Sequence, residues 1–291
     1  MLAVLCGLAA SVHAQDAAAA ADGSAAPASL PRTLPPESHW RLGLAAGYGR
    51  RTNPLIQSDD IPVLVDVDIA YFGKRWFFDN GDLGVEIANN DRFTTNIVAR
   101  VNSDRAFFSK TNTKYVTFTQ LSGGVTVPIR DPGTGTPLAE PEPLKPPRRD
   151  YAIELGFETL FDGDWGAASV RAFHDISNTH DGYEIGVTYD YRITRGRFSF
   201  SPSFGLEYKD RRMTDYYWGV HKEESSLTLQ PYVADGGLSF EAGLKTNYYM
   251  TKNFRVAMAL NYERLSDSVG RSPLVEQPYV FGYFAGLAWS F

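Results

Sequence analysis

The chain has 291 residues, of which 21% are charged and 43% hydrophobic, and its formal net charge is -6 with a pI near 5.4. This acidic balance offers no basic surface for nucleic acid, so no nucleic-acid partner is expected. No stretch approaches the roughly 18 consecutive apolar residues of a membrane-spanning helix, which excludes a helical membrane protein. A transmembrane β-barrel remains compatible, because its alternating strands average to an ordinary composition.

The first residues are typical of an export signal. An apolar stretch from Leu2 to Ala10, followed by small residues up to Ala14, predicts a signal peptide over residues 1–14. Residues 15–37 are rich in Ala and Pro and predict a disordered lead. The single cysteine, Cys6, lies in the predicted signal, so the mature chain is expected to offer neither disulfides nor a thiolate metal site.

From Trp40 onward, apolar residues alternate with polar or small ones, which is typical of strands with two different faces. The predicted strands are Trp40–Tyr48, Val63–Tyr71, Leu83–Ala88, Phe93–Val101, Tyr151–Glu158, Gly166–His174, Tyr183–Tyr191, Phe198–Tyr208, Leu227–Ala234, Leu238–Tyr248, Phe254–Tyr262 and Tyr279–Phe291. The even count, the wide apolar faces and the abundance of Phe and Tyr predict an all-β fold. We expect a transmembrane antiparallel up-and-down β-barrel of about 12 strands over residues 38–291, located in the outer membrane.

The last predicted strand carries a particular signal. Leu287, Trp289 and Phe291 lie on one face, opposite small residues such as Gly286 and Ala288. Lipid solvates such an apolar face in a barrel, whereas in a soluble sandwich, the alternative interpretation, a second layer would cover it. A terminal Phe with apolar residues at alternate positions resembles the signal that the barrel assembly machinery recognises. We therefore predict Leu287, Trp289 and Phe291 as an assembly signal and that machinery as a partner.

The strand count also predicts which connections face the periplasm. Closing the barrel puts both chain ends on the periplasmic side, so connections alternate between the two sides of the membrane. Counting back through the predicted strand Leu227–Ala234 assigns residues 102–150, 175–182 and 209–226 to the periplasm. This reverses the usual arrangement of short periplasmic turns and long outer loops, and one miscounted strand would invert the assignment.

Long connections on a rigid scaffold often carry function, and large aromatic residues anchor protein interfaces. The predicted periplasmic partner surface therefore comprises Asp175, His180, Asp181, Tyr216, Tyr217 and Trp218. The alternative is that the aromatic residues form a girdle against lipid headgroups.

One cluster could hold chemistry: His174, Asp175, His180 and Asp181, whose imidazoles and carboxylates could bind a metal or form an acid–base pair. Asp, Ser, Asn and Gly in the same stretch are also turn residues. We favour the turn, because no nucleophile motif accompanies the cluster. No catalytic residue, metal site or cofactor is predicted, and the chain is not expected to be an enzyme.

Charged residues of both signs fall on the predicted inner faces of the strands. They are Arg41, Arg100, Arg171, Lys245 and Arg255 together with Asp66, Asp68, Glu86, Glu154, Glu184, Asp190, Glu207 and Glu241. A narrow interior that holds both signs tends to pair its charges and fill. A wide water-filled channel is therefore disfavoured, and a small or acidic-selective pore remains open.

Several segments, taken in order, resemble the MipA/OmpV family of outer-membrane proteins over Trp40–Phe291. They are Asp175–Gly182, Tyr216–Val220, Tyr249–Phe254 and Ser272–Val275. The Pro- and Gly-rich insert at residues 125–149 departs from the family pattern. The resemblance implies a non-enzymatic barrel. The best-known member of the family is described as a scaffold that joins a lytic transglycosylase to a murein synthase. The resemblance thus implies those two enzymes as partners. The alternative functions are a narrow pore, a small-solute channel, or a barrel for adhesion or osmotic response.

Overall fold

The computed structural model describes residues 39–108, 146–225 and 229–290. These residues form one antiparallel sheet of 13 strands, with two short α-helices in the connections. The strands are β1 His39–Arg51, β2 Ile61–Phe72, β3 Trp76–Asp79, β4 Asp82–Asn89, β5 Phe93–Val101, β6 Ile153–Gly163, β7 Gly166–Asp175, β8 Tyr183–Asp190, β9 Ile193–Arg195, β10 Phe198–Lys209, β11 Gly237–Tyr249, β12 Phe254–Arg264 and β13 Tyr279–Ser290. The helices are α1 Arg211–Trp218 and α2 Asp267–Gly270, with 3-10 helices at Asp104–Phe108 and Lys222–Glu224. Within the described residues, no helix is long and apolar enough to span a membrane.

The sheet closes on itself. Strand β1 pairs with β2 along one edge and with β13 along the other, from Gly43↔Ser290 to Arg51↔Gly282. Twelve strands form the ring, because β10 follows β8 directly and β9 pairs only with the end of β10. The predicted antiparallel barrel of 12 strands is therefore confirmed, and closure leaves each strand of the ring paired on both sides.

The two faces of each strand differ as the alternation predicts. In β1, Trp40, Leu42 and Leu44 are exposed on the outer surface, whereas Arg41 and Ala45 are buried on the inner side. An exposed apolar band is stable only against lipid, so the outer surface of the barrel is a membrane surface.

Aromatic pairs line the end of the barrel at which the described chain begins and ends. The Trp40 and Tyr71 rings lie 5.0 Å apart, and the Tyr71 and Trp76 rings 4.7 Å apart. A third aromatic pair, Tyr262 and Tyr279, lies at the opposite end with its rings 6.0 Å apart. Two such belts are typical of the two membrane interfaces.

Two strand predictions were wrong, and their errors cancel in the count. Strand β3 was missed, because Trp76–Asp79 has four residues and no room for alternation, although the Asn80-Gly81 turn after it is a hairpin signal. The predicted strand Leu227–Ala234 is absent from its described residues 229–234, where only an isolated bridge joins Val220 to Tyr232. Pro231 lacks a backbone N–H, which makes a ladder there less favourable.

Adding β3 and removing the strand Leu227–Ala234 inverts the predicted sidedness of the connections between them. At the end with both described chain ends, the strands are joined by short turns at residues 73–75, 90–92, 164–165, 196–197 and 250–253. The long connections, at residues 52–60, 102–152, 176–182, 210–236 and 265–278, lie at the other end. Short turns mark the periplasmic side, so residues 175–182 and 209–226 lie at the outer end and their assignment to the periplasm is corrected.

Four other predictions fall wholly or mainly outside the described residues. These are the signal peptide at 1–14, the lead at 15–37, the insert at 125–149 except for its last residues, and Phe291. They remain predictions. Leu287 and Trp289 are each 49% exposed on the lipid-facing side of β13, which leaves them accessible as the assembly signal would need.

Candidate functional site

A compact apolar cluster covers the outer end of the barrel. Its buried members come from four long connections and from the start of β13. They are Leu55, Phe107, Phe108, Met213, Tyr217, Trp218, Val220, Leu229, Ala234, Leu265, Val269, Leu274 and Val280. We call this cluster the outer cap. It is a second core, separate from the barrel wall, and it packs connections that are far apart in sequence against one another.

Helix α1 forms because its first turn is capped. The Asp210 carboxylate accepts hydrogen bonds from the backbone N–H groups of Arg212 and Met213. The helix then turns Met213, Tyr217 and Trp218 into the cap, where all three are buried. Met213 and Tyr217 are four residues apart and share one helix face, and Trp218 lies beside them at the end of the helix.

Trp218 is the largest buried side chain of the cap, with 2% of its surface exposed. Its indole N–H donates to the Asp104 carboxylate at 3.2 Å, and its ring lies 5.9 Å from Phe107 and 5.5 Å from Phe108. The Ser272 hydroxyl donates to its backbone carbonyl. Trp218 therefore joins three of the connections that form the cap.

Arg149 fastens a further segment to the cap. Its guanidinium donates to the Gly219 carbonyl at 3.0 Å and to the Glu224 carboxylate, and it lies between the rings of Phe108 and Tyr216. Burial raises the pKa of Glu224, but hydrogen bonds from Arg149 and from the backbone outweigh this, and the net pKa lies below its usual value. The Glu224 carboxylate is therefore ionised at neutral pH.

Charges directly beneath the cap are paired, as the mixed inner faces predict. Arg100 donates to Glu154 at 3.0 Å and also to Glu184, and Arg171 donates to Glu207 at 2.8 Å. For these five residues, the prediction that luminal charges of opposite sign pair is confirmed. The three carboxylates are buried, each at 7% exposure or less.

Toward the periplasmic end, the interior combines paired and exposed charges. Arg41 is buried and donates to Asp68 at 3.1 Å and to Asp79 at 2.9 Å. Asp66 is exposed, and Asp68 and Lys245 keep part of their surface accessible.

His180 lies where the cap meets the barrel wall. Its side chain is fully buried, and its Nδ1 accepts a hydrogen bond from the Gly182 N–H at 3.0 Å, which places the proton of the neutral ring on Nε2. That Nε2 has no hydrogen-bond partner among the described residues, and it faces the Glu154 carboxylate at 3.8 Å. The ring packs edge-on against Tyr217 at 5.6 Å.

A family model described as "MltA-interacting protein MipA" matches residues 42–291. The chain belongs to the MipA family. Outer membrane protein Omp26La of Vibrio anguillarum is 30% identical over 144 residues, which is 50% of this chain and 56% of that protein. OmpV of Vibrio cholerae is 28% identical over 144 residues, which is again 50% of this chain and 56% of that protein. The MltA-interacting protein of Escherichia coli is 28% identical over 118 residues, which is 40% of this chain and 48% of that protein. The match thus spans about half the length of these relatives.

Solved outer-membrane barrels also resemble the structure. The toluene transporter TodX of Pseudomonas putida has a TM-score of 0.35 at 9% identity, with 89% of this chain and 90% of that chain covered. OprG of Pseudomonas aeruginosa has a TM-score of 0.22 at 10% identity, with 89% and 99% covered.

Family membership and the closed ring of strands together place this MipA-family protein in the outer membrane as a multi-pass β-barrel. The resemblance found in the sequence, its fold class and its location are thereby confirmed.

The structure brings the six predicted partner-surface residues to one place, but not as a surface. Tyr217 and Trp218 are buried inside the cap, and Asp175 and His180 are buried beside it. Only Asp181 is exposed, and Tyr216 is half-buried. The prediction that this group faces a periplasmic partner is therefore corrected, since four of the six side chains are covered and the group lies at the outer end.

The turn interpretation of the His/Asp cluster is supported by the bonds of Asp175. Its carboxylate accepts hydrogen bonds from the backbone N–H groups of Ser177, His180 and Asp181, at 2.7–3.0 Å, and from the Ser177 hydroxyl at 2.6 Å. Such a carboxylate organises its loop and has little capacity left for a ligand. Within the part of the chain that the structure describes, no group of three or more His, Cys, Asp or Glu side chains is placed to hold a metal.

Sequence reasoning missed Asp104, which accepts from both Trp218 and the Lys209 ammonium, the latter at 2.6 Å. It also missed Arg149. No motif marks either residue. Helix α1 had a signal, because Asp210 is a good N-cap and apolar residues follow it at helical spacing.

We expect the cap to weaken as the pH falls below neutral. Burial lowers the pKa of His180 below its usual value, while Asp175, Glu154, Asp210 and Asp104 act in the opposite direction without reversing the shift. At a pH above about 6.5, the pKa of His180 in the unfolded chain, the neutral ring therefore stabilises the folded cap. This stabilisation is lost as the pH falls from about 6.5 toward the lower pKa that His180 has in the folded protein. Hydrogen exchange of residues 213–218, corrected for intrinsic rates, should be faster at pH 5.5 than at pH 7.5.

The variant H180F should remove most of this pH dependence. The matched control is H221Q, since His221 lies in the same connection as α1 but its side chain is 44% exposed. Equal pH dependence in H180F and in the native protein would contradict the assignment to His180.

Proposed function

We propose that this MipA-family protein is a non-enzymatic outer-membrane scaffold that holds periplasmic murein-remodelling enzymes, a lytic transglycosylase and a murein synthase, at the membrane. The name of the Escherichia coli relative, MltA-interacting protein, supports a partner of this kind. The matched part covers about half of that relative.

The observation that carries the proposal is the outer cap. A channel needs a continuous polar path, and here an apolar core with buried ion pairs occupies the outer mouth. A barrel filled in this way can anchor other proteins but is poorly suited to conduct solutes. The cap thus favours the scaffold over the narrow pore.

The bonding of the cap also supports a non-enzymatic role. Asp104 is bonded to Lys209 and Trp218, Asp175 to its own loop, and Asp210 to the start of α1. Groups that act in catalysis need a free position for substrate, and these carboxylates are used in structure.

A second candidate, an adhesive or osmotic-response role outside the cell, is favoured by the length of the outer connections. Residues 210–236 and 265–278 contain α1 and α2 and present exposed arginines such as Arg211 and Arg271 to the exterior. Outer loops of this length commonly carry function.

One crosslinking experiment tests both candidates and the sidedness. In a C6S background, a photo-crosslinker is attached in living cells to D91C, in the periplasmic turn 90–92, or to E276C, in the outer connection 265–278; both positions are exposed. We expect D91C to capture the transglycosylase and the synthase, and E276C to capture neither.

The same variants report the topology. An impermeant maleimide should label E276C on intact cells and reach D91C only after the outer membrane is permeabilised. Capture of the two enzymes from E276C alone, or from neither position, would overturn the scaffold proposal. If intact cells bind to surfaces and labelling of E276C blocks this binding, the second candidate would be favoured.

A further inference from the structure

Basic residues accompany aromatic ones at the periplasmic turns. In three of the five turns an arginine directly precedes an aromatic residue that begins the next strand, and in a fourth a lysine stands two positions before one. The pairs are Arg75 with Trp76, Arg92 with Phe93, Arg197 with Phe198, and Lys252 with Phe254. The fifth turn has Asp164 before Trp165.

The aromatic members belong to the periplasmic belt. Trp76 is 49% exposed with its ring 4.7 Å from Tyr71, and Phe198 is 47% exposed with its ring 4.8 Å from Tyr248. Belt rings sit at the boundary between the acyl chains and the headgroups. A strand advances about 3.3 Å per residue, so the preceding basic residue lies one step farther from the lipid core, at the level of the phosphates.

The turns are too short to carry these charges deep into the periplasm. In the turn at 73–75, the Gly73 N–H donates to the Trp76 carbonyl at 2.8 Å. In the turn at 250–253, the N–H groups of Met250 and Thr251 donate to the Phe254 carbonyl at 3.0 and 3.1 Å. The basic side chains are thus held beside the belt.

These charges are available for a ligand. Lys74, Arg75, Arg92, Arg197 and Lys252 are exposed, and within the described residues none has a carboxylate at ion-pair distance. The acidic residues of the same turns are Asp91 and Asp164. The periplasmic rim is therefore basic although the chain as a whole carries a net charge of -6.

We propose that Lys74, Arg75, Arg92, Arg197 and Lys252, which we call the basic ring, bind the phosphate groups of anionic phospholipids in the inner leaflet of the outer membrane. Arginine offers a fork of N–H donors that matches phosphate geometry, and its position beside a lipid-facing aromatic ring favours a headgroup over an acidic protein. The basic ring therefore lies closer to the lipid headgroups than to any protein in the periplasm.

The Asp164–Trp165 turn supplies an internal comparison, since Trp165 is 51% exposed and Trp76 is 49% exposed. Two variants of the full chain isolate these probes: W40F/W165F/W289F keeps Trp76, and W40F/W76F/W289F keeps Trp165. Both retain Trp218, which is buried in the cap and gives a constant background. Each variant is reconstituted into vesicles that contain brominated phosphatidylglycerol or brominated phosphatidylcholine at equal mole fraction, and quenching of tryptophan fluorescence is measured.

We expect brominated phosphatidylglycerol to be enriched several-fold around Trp76 relative to brominated phosphatidylcholine, because each basic residue near an anionic surface strengthens binding by about fivefold. No enrichment is expected around Trp165. The enrichment at Trp76 should fall with added salt and disappear in K74S/R75S. In the converse variant, D164R, enrichment should appear around Trp165.

Equal enrichment at the two tryptophans, or enrichment that survives K74S/R75S, would overturn the proposal. If K74S/R75S leaves quenching unchanged but abolishes crosslinking of the synthase from D91C, the basic ring binds an acidic protein surface instead. The inference does not depend on the scaffold role, because the vesicles contain no periplasmic enzyme.

Discussion

Replacing Arg100 with Leu is expected to destabilise the barrel by about 3–5 kcal/mol, because it leaves buried carboxylates without their partner. The Glu154 and Glu184 side chains are 1% and 3% exposed, and both pair with the Arg100 guanidinium. That guanidinium also lies 3.9 Å above the Phe173 ring. Asn102 remains as a donor to Glu154 at 2.6 Å, but it brings no charge.

The free energy of unfolding would be measured by urea titration in lipid vesicles, with the shift between folded and unfolded bands on gels as the readout. Two variants serve as controls. The triple variant R100L/E154Q/E184Q should recover most of the loss, since neutral amides replace the unpaired charges. R50L should cost less than about 1 kcal/mol, because the Arg50–Asp60 pair is exposed. An R100L barrel as stable as the native one would show that these charges are solvated in the lumen.

Replacing Trp218 with Ala should open the outer mouth. The substitution removes the largest buried side chain of the cap and the hydrogen bond to Asp104. Loss of a buried Trp costs about 3–5 kcal/mol, which is comparable to the stability of a small packed unit. We therefore expect the cap to be partly unfolded while the barrel wall remains intact.

Planar-bilayer recording provides the measurement. The native protein should be electrically silent, and W218A should show frequent conductance steps with unchanged heat-modifiability. W165A is the matched control, since Trp165 is 51% exposed on the lipid-facing side, and it should remain silent. A silent W218A whose residues 213–218 exchange as fast as unprotected amides would mean that the paired luminal charges close the barrel without the cap.

Much of the barrel wall could be predicted from sequence because its information is local. Alternation within a single strand indicates which side chains face lipid. In β1, β5 and β6 it places Arg41, Arg100 and Glu154 inside without reference to any other strand. The pairing of these charges followed from their confinement in a narrow interior. The resemblance to the family added the location.

The cap could not be predicted in this way. Leu55 packs near Leu274, and Phe107 packs against Trp218, through contacts that no periodic pattern marks. The aromatic run Tyr216–Trp218 was visible, but exposed and buried aromatic residues look alike in sequence. The strand count was right only because β3 was missed while a strand at Leu227–Ala234 was added. Sidedness depends on each strand in turn, so it was inverted for the connections that lie between these two errors.

The seam between β1 and β13 has a consequence for how the chain reaches its native state. It joins residues 43–51 to residues 282–290, the most distant segments of the described chain, so these are contacts of very high contact order. The entropy of closing so large a loop must be overcome before any of the seam's hydrogen bonds form. Until then the growing sheet has two unsatisfied edges, each a template for pairing with a second unfinished molecule. Aggregation should therefore compete with insertion up to the moment at which the first and last strands meet.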